Sequence, residues 1–183
     1  MAHIQDLLQE ISLLSSTSAT LDWDQETYSP ARSVAHRAKQ LAYLQGKIHK
    51  LQTSDEFCDG LASLDPANQR ELTHRYERAT KLPQKLVERD SETSSLAKAA
   101  WSEAREKNEF QTFAPHLAKL LEIAREKTGH WGFEDEPYDA LLCEYERGAK
   151  TREIATLFDS IDTELAEIAA AAVEKSSVIP AAF

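Results

Sequence analysis

The sequence predicts an all-α protein, with seven to nine helices in an antiparallel, bundle-like array and no significant β-sheet. Three observations support this. Five Gly and six Pro in 183 residues leave few helix breakers. Apolar residues recur at spacings of three and four along most of the chain, and no stretch of five or more residues alternates between apolar and polar. Short connections favour antiparallel neighbours, and the length favours a single helical domain over residues 1–183.

The first helix is predicted from an apolar stripe. It consists of Ile4, Leu7, Leu8, Ile11 and Leu14. Four hydroxyl residues follow at 15–18 and lower helix propensity. The helix therefore either continues to about Trp23 or Glu26, or is divided at those residues. Pro30 disfavours the helical conformation of the residue before it, so the helix is expected to end near Ser29.

An apolar stripe and two capping signals predict the next three helices. Residues 32–51 carry an apolar stripe and form the second helix. Ser54 is a favourable N-cap for a short third helix. Asp65 followed by Pro66 is a cap with proline at the first helical position, and it opens the fourth.

The second half of the chain predicts four more segments. A long helix follows a boundary at residues 81–83 and extends to about residue 107, although the serines at 91–95 weaken it. Residues 108–114 form a turn or frayed start. The following helix ends at Gly129 and Gly132. Residues 138–144 form a short helix, and Thr151 caps a last helix whose stripe includes Ile154, Phe158 and Ile161. Residues 176–180 are expected to be loop.

Composition argues against several classes of partner. Acidic residues outnumber basic ones by 31 to 21, giving a net charge of −10. Nucleic acids and anionic membranes require a positive surface, so neither is expected as a partner. No stretch approaches the ~18 apolar residues of a membrane span. Cys58 and Cys143 fit free thiols in a reducing compartment, and without a secretory signal pattern a cytoplasmic location is expected.

The most distinctive segment is residues 21–30, which contains three carboxylates, an amide, a Trp and a Tyr. Its Trp23-Asp24-Gln25-Glu26-Thr27, with Pro30 and Arg37-Ala38-Lys39-Gln40-Leu41, resembles the start of the carboxypeptidase Taq family of zinc metallocarboxypeptidases. More of the pattern follows in order: Trp101 with Ala104-Arg105, Phe110-Gln111-Thr112-Phe113-Ala114-Pro115-His116-Leu117, Pro137-Tyr138-Asp139-Ala140-Leu141-Leu142 and Glu144-Tyr145-Glu146. The resemblance covers nearly all 183 residues but roughly the N-terminal third of the family's usual length.

The resemblance implies a zinc-dependent enzyme that removes C-terminal residues from peptides, in an all-helical, groove-containing homodimer. Trp23, Asp24 and Gln25 are then candidates for lining the peptide groove, as are Tyr138 and Asp139. A structural interpretation of the first three stays open: a helix end with a buried Trp, whose Asp and Gln satisfy neighbouring backbone groups. For Tyr138 and Asp139, helix capping near Pro137 is favoured over acid–base chemistry.

No catalytic residue and no metal ligand is expected in this chain. Zinc peptidases of this type place two His residues at i and i+4. None of the six histidines lies three to five residues from another: His3, His36, His49, His74, His116 and His130. The family's HExxH helix would lie beyond Phe183. Zinc is thus implied for the full-length family enzyme and not for this chain.

Two functional hypotheses follow. The leading one is the N-terminal, groove-forming region of a carboxypeptidase Taq-like enzyme, inactive on its own, which binds peptide substrate through the full-length enzyme. The alternative is a stand-alone helical interaction or structural protein derived from that family. The apolar faces that contain Trp101, Phe113, Trp131 and Phe158 are expected to be core, and a homo-oligomer, such as a dimer, is expected.

Overall fold

The structure is a computed structural model, and it describes residues 4–176. Within this range it confirms the all-α prediction: eight α-helices are present and no strand. Their bounds are α1 Ile4–Thr27, α2 Val34–Gln52, α3 Asp55–Leu61, α4 Pro66–Thr80, α5 Gln84–Lys107, α6 Phe110–Trp131, α7 Pro137–Leu142 and α8 Thr151–Ser176. A 3-10 turn at Ala31–Ser33 joins α1 to α2. No helix in the described part is long and apolar enough to cross a membrane.

The chain divides into two compact units, Met1–Trp131 and Gly132–Phe183. In the first unit α2 packs on both α1 and α5, and α6 also packs on α5. The second unit contains α7 and α8, which contact each other. The single domain over residues 1–183 stays a prediction.

Helix α1 is continuous through its serine-rich middle, which resolves the alternative left open by the sequence. Its hydroxyl groups donate to backbone carbonyls of the preceding turn, as Thr17 does to Leu13 (2.8 Å) and Thr20 to Ser16 (2.9 Å). These bonds do not displace the helical ones. The helix ends where the N–H groups of Tyr28 and Ser29 both donate to the Asp24 carbonyl.

Two predicted N-caps are confirmed. The Ser54 hydroxyl accepts a hydrogen bond from the N–H of Phe57, at 3.2 Å, and starts α3. The Asp65 carboxylate accepts from the N–H groups of Ala67 and Asn68 and starts α4. Hydrogen bonds from Asn68, first from its side chain and then from its backbone, lower the pKa of Asp65.

An apolar cluster anchors the start of α1 against α3. Its buried members are Ile4, Leu7, Phe57 and Leu61, and the Phe57 ring stacks on that of Tyr76 at 6.3 Å. Gly60 permits this contact because a Cβ atom there would lie 2.7 Å from the Cβ of Ile4. α1 and α3 are therefore in contact at a position where only hydrogen fits.

The boundary of α6 differs from the prediction of a turn over residues 108–114. Asn108 adopts a left-handed conformation (φ 52°) that ends α5, and α6 begins two residues later at Phe110. Pro115 therefore lies inside α6, where it removes the N–H that would bond to Gln111. Both residues are exposed, so water can satisfy the carbonyl.

The ends of α6, α7 and α8 also refine the predictions. Gly129 is helical, and Gly132 (φ 80°) follows the last residue of α6. The short helix predicted over residues 138–144 is α7, which begins at Pro137 and ends at Leu142. Thr151 is the first residue of α8 and does not cap it. Ser176, predicted as loop, is helical, while the rest of that loop, residues 177–180, lies outside the described residues.

Two aromatic residues predicted as core are exposed. Trp131 is buried and Phe113 half-buried, as expected, but Trp101 has 53% of its surface exposed and Phe158 has 60%. Spacing along a helix shows which side chains share a face, but it does not show whether another element covers that face.

Candidate functional site

An open cleft of about 480 Å³ lies in the first unit, between α1, α2 and α5. Nine of its twelve lining residues are polar or charged, and five of these are serines. The lining residues are Ser15, Ser18, Ala19, Asp22, Leu41, Gln45, Val87, Asp90, Ser91, Ser94, Ser95 and Lys98. A cleft rich in groups that both donate and accept hydrogen bonds suits a ligand with many polar atoms, such as a peptide main chain.

Ion pairs compensate the charges that border this cleft. The Lys98 ammonium contacts the Asp22 carboxylate at 3.0 Å and also pairs with Glu26. The hydrogen bond to Glu26, followed by that to Asp22, raises the pKa of Lys98. On the other side, Asp90 accepts a hydrogen bond from Lys127 at 2.9 Å. A neutral ligand in the cleft would therefore meet paired charges, serine hydroxyls and apolar carbon atoms.

Gln25, one of the predicted groove residues, connects α1 to α5 beside the cleft. Its Oε1 accepts from the Ser95 hydroxyl at 2.8 Å, and its Nε2 donates to the Ser95 carbonyl at 3.1 Å. Ser95 is buried, with 3% of its surface exposed. The amide therefore satisfies a buried hydroxyl and holds the end of α1 on α5.

Asp24 is held by Arg37 of α2. One guanidinium nitrogen of Arg37 donates to the Asp24 carboxylate at 2.6 Å, and another donates to the Leu21 carbonyl at 2.8 Å. The Arg37 side chain is 14% exposed and that of Asp24 is 35%. Both the carboxylate and the helix end are thereby fixed in orientation.

Trp23 faces solvent, unlike the buried Trp of the structural interpretation. Its ring is 57% exposed and meets the Tyr28 ring edge-on at 5.5 Å. The neighbouring Asp24 and Gln25 form hydrogen bonds with residues of α2 and α5. The exposed Trp23–Tyr28 pair therefore lies at a helix end that is held in place. Such pairs are suited to contact with another molecule.

Tyr138 and Asp139 belong to the second unit and have different environments. Tyr138 is 56% exposed. The Asp139 carboxylate accepts hydrogen bonds from the N–H (2.8 Å) and the hydroxyl (2.6 Å) of Thr151, and it lies 3.6 Å from the Lys150 ammonium. The bonds from Thr151 are the main cause of the lowered pKa of Asp139. Asp139 thus caps the start of α8, whereas the favoured interpretation placed the capping near Pro137, where α7 begins without a side-chain cap.

The serines of the cleft were noticed in the sequence but assigned no role beyond weak helix propensity. They occur as two clusters, residues 15–18 and 91–95, each in the middle of a long helix. Small polar side chains on two neighbouring helices leave space between them, and this repetition was a signal for the cleft. It could not show which helices are neighbours.

No group of three His, Cys, Asp or Glu side chains among residues 4–176 is placed to hold a metal ion. A catalytic zinc needs three protein ligands and an open position. The described side chains therefore do not fit such an ion, and none of them is assigned to metal chemistry.

Sequence comparison places this helical chain among carboxypeptidases. It is 30% identical over 179 residues to thermostable carboxypeptidase 1 of Pyrococcus furiosus, covering 93% of this chain and 36% of that protein. It is 34% identical to carboxypeptidase 1 of Bacillus subtilis over 163 residues, covering 84% of this chain and 32% of that protein. The chain is therefore related to helical carboxypeptidases. It spans about a third of the length of these relatives.

The carboxypeptidase Taq (M32) metallopeptidase family matches residues 3–181, and the chain belongs to this family. Solved structures agree. The BsuCP crystal structure is similar with a TM-score of 0.81 and 30% identity, over 85% of this chain and 33% of that one. The structure of Pyrococcus furiosus carboxypeptidase has a TM-score of 0.69 and 29% identity, over 94% of this chain and 37% of that one. The resemblance drawn from residues 23–41 is confirmed.

Proposed function

We propose that this chain is the N-terminal helical, groove-forming region of a zinc metallocarboxypeptidase, an enzyme that removes C-terminal residues from peptides. The observation that carries the proposal is the family match over residues 3–181, combined with coverage of about a third of each relative. The chain contributes the shape and polarity of a groove wall, while zinc is bound outside residues 4–176.

The cleft and the anchored end of α1 support this role. Trp23 lies next to two residues that are fixed by Arg37 and Ser95, so the helix backbone that carries its exposed indole is anchored to α2 and α5. The nearby Ser15, Ser91 and Ser94 offer hydroxyls to a peptide main chain. Tyr138 and Asp139 are also proposed as groove residues, because of the family resemblance. The exposed ring of Tyr138 would contact the peptide, and Asp139 would position the start of α8.

The isolated chain is expected to hold no stoichiometric zinc and to hydrolyse no peptide. Metal analysis after dialysis, with a peptide-hydrolysis assay in added zinc, tests this directly. A B. subtilis relative carried through the same procedure is the positive control. One tightly held zinc per chain, or release of a C-terminal amino acid, would overturn the proposal.

Peptide contact at Trp23 is tested by NMR of the three indole N–H groups, assigned through Trp23→Phe and Trp101→Phe variants. A peptide with a free C-terminus, titrated to about 1 mM, the upper end of ordinary KM values, should shift the Trp23 signal. The signal of the buried Trp131 should not move. No Trp23 shift at this concentration would refute a groove contact at this residue.

The second candidate is a stand-alone helical interaction protein derived from the family, for which the exposed apolar face of α8 would be a contact surface. The intact mass of the native polypeptide separates the two candidates. A mass that matches 183 residues supports the interaction protein, and a mass near three times larger supports the enzyme region. A homodimer is proposed from the family resemblance, and sedimentation equilibrium tests it.

A further inference from the structure

The hydroxyl groups in the middle of α1 fall into two sets that differ in their hydrogen bonds. Ser16, Thr17 and Thr20 do not line the cleft between α1, α2 and α5, and each donates to a backbone carbonyl of the preceding turn. Ser15 and Ser18 line the cleft, and neither donates to any group among residues 4–176. The hydroxyls on the cleft side are therefore not used by the helix itself.

Ser18 is the clearest case because it is buried. The residue is 7% exposed, and its hydroxyl oxygen accepts a hydrogen bond from the Gln45 amide at 3.3 Å. Within the described part of the chain its own proton has no acceptor. On α5, Ser91 and Ser94 line the same cleft and form no hydrogen bond through their hydroxyls to another described group. Because buried polar groups are normally paired, these hydroxyls suit a ligand, or water that a ligand displaces.

The polarity of the cleft indicates what kind of ligand would fill it. Dry packing of an apolar group over these hydroxyls would leave them without partners, which is unfavourable. A ligand with its own donors and acceptors, such as a peptide main chain, would satisfy them. The cleft volume, about 480 Å³, is within the range of ligand sites. Between α1 and α5, α2 contributes Leu41 and Gln45 to the lining.

The charges at one end of the cleft are unequal in number. Lys98 pairs with both Asp22 and Glu26, so one ammonium serves two carboxylates. These three side chains are between 43% and 53% exposed, and a ligand can reach them. Asp90, which also lines the cleft, is balanced by Lys127. A cationic group of a ligand beside Lys98 would complete the pairing, whereas an anionic group would be repelled by the excess carboxylate.

We propose that this cleft binds peptides with a Lys or Arg side chain in preference to peptides with an acidic one. The peptide main chain bonds to the hydroxyls of Ser18, Ser91 and Ser94, and the basic side chain meets the carboxylates of Asp22 and Glu26. This inference rests on the proposed function, in which the cleft belongs to a peptide groove. It adds the class of peptide that the groove selects and the residues that select it.

The test uses the full chain and three peptides, acetyl-Ala-Ala-Xaa-Ala-Ala, in which Xaa is Lys, norleucine or Glu. Norleucine has the length of the Lys side chain without its charge. Titration followed by NMR should move the backbone N–H signals of Ser18 and Ser94. The Lys peptide should bind about twofold to fivefold more tightly than the norleucine peptide, as expected of an exposed ion pair, and the Glu peptide should bind most weakly. The preference should shrink in about 1 M salt, where the Debye length is about 3 Å.

Two charge variants supply a matched comparison. Glu26→Gln removes the excess carboxylate and should abolish most of the preference for the Lys peptide. Glu10→Gln removes the same charge at an exposed position of the same helix, outside the cleft, and should leave the preference unchanged. A preference that both variants reduce equally would reflect the net charge of the chain and would overturn the proposal.

Two serine variants test the hydroxyls in the same way. Ser94→Ala should weaken binding of all three peptides alike, by about twofold to tenfold, as expected for one lost hydrogen bond. Ser16→Ala removes a hydroxyl that donates to the Leu13 carbonyl outside the cleft, and it should leave binding unchanged. Circular dichroism checks that each variant is folded, and the comparison of the three peptides on the wild-type chain does not depend on any variant.

The outcomes separate this inference from the proposed function. Equal binding of the Lys and Glu peptides in the cleft would overturn the preference and leave the groove in place. Movement of the Trp23 indole signal without movement at Ser18 and Ser94 would also overturn it, because the peptide would then bind outside the cleft. If none of these signals responds to any of the three peptides, both the preference and the groove contact at Trp23 are refuted.

Discussion

One oxygen of Asp139 accepts hydrogen bonds from both the backbone N–H and the side-chain hydroxyl of Thr151, at 2.8 and 2.6 Å. A residue of α7 thereby supplies the N-terminal cap of α8, twelve residues further along the chain. The same carboxylate lies near Lys150, which also pairs with Glu134. The second unit is thus held together by polar contacts at the start of its long helix.

Replacing Asp139 should loosen the start of α8. In Asp139→Ala the Thr151 N–H loses its acceptor, and its exchange with solvent deuterium should accelerate roughly threefold to thirtyfold, the range of N-cap losses. Thr151→Val keeps the N–H bond and should cause a smaller change. Asp135→Ala alters an exposed acidic residue of the same unit and serves as the control. Unchanged exchange in Asp139→Ala would contradict the capping role.

The same cap should depend on pH. The pKa of Asp139 is lowered in the folded chain, mainly by the bonds from Thr151, so its contribution to stability is present above the unfolded pKa, about 4. It is lost as pH falls through the lower folded value. The stability difference between wild type and Asp139→Asn, from urea unfolding, should therefore narrow below about pH 4. A difference that grows with acidity would contradict this.

The Gln25 bridge should contribute measurably to the stability of the first unit. Gln25→Ala leaves the buried Ser95 hydroxyl without its acceptor, and the free energy of unfolding should fall by about 1–2 kcal/mol. Adding Ser95→Ala to Gln25→Ala removes the hydroxyl that has lost its acceptor, so the free energy of unfolding should fall little further. Gln111→Ala, at an exposed position of α6, is the control. If the decreases in the free energy of unfolding of the two single variants add up to that of the double variant, the two side chains act independently, which would contradict the bridge.

The Arg37–Asp24 pair should matter more than an exposed ion pair. Arg37→Ala should lower the free energy of unfolding by about 1–2 kcal/mol, because a largely buried guanidinium bonds both a carboxylate and the Leu21 carbonyl. Arg37→Lys should recover only part of this, because an ammonium cannot reproduce both bonds. Arg75→Ala, which breaks an exposed pair with Glu71, should cost less than about 0.5 kcal/mol. Equal losses at the two arginines would contradict the argument.

Two glycines in helices should respond oppositely to alanine. Gly60→Ala places a Cβ 2.7 Å from that of buried Ile4 and should destabilise the first unit by about 1–3 kcal/mol, as overpacking does. A Cβ at Gly129 meets nothing within 4 Å, so Gly129→Ala should stabilise α6 by about 0.4–1 kcal/mol. Thermal unfolding of both variants shows whether stability falls in Gly60→Ala and rises in Gly129→Ala. A stabilising Gly60→Ala would show that Ile4 moves aside easily.

Local features of the fold were predictable because short-range chemistry determines them. Ser54 and Asp65 lie next to the N–H groups that they cap, so sequence distance alone identified them. The helical start at Phe110 was not predicted, because whether a helix tolerates Pro115 depends on whether the freed carbonyl of Gln111 is exposed. The exposure of this carbonyl depends on how the helices pack, which the local sequence does not show.

The candidate site was predictable in part. The segment around Trp23 was identified through its composition and family resemblance, but the partners of Asp24 and Gln25 lie 13 and 70 residues away. The exposure of Trp101 and Phe158 was likewise missed, because periodicity does not show which faces another element covers. Long-range pairing of this kind requires the three-dimensional arrangement.

The burial of Trp131 has a practical consequence. Its indole is 9% exposed, donates to the Arg78 carbonyl, and lies 3.9 Å from the Arg78 guanidinium, whereas Trp23 and Trp101 are more than half exposed. An indole shielded from water emits at shorter wavelengths than a hydrated one. The red shift of intrinsic fluorescence during denaturation would then arise chiefly from this one chromophore, which gives a built-in optical reporter for the integrity of the α4–α6 junction.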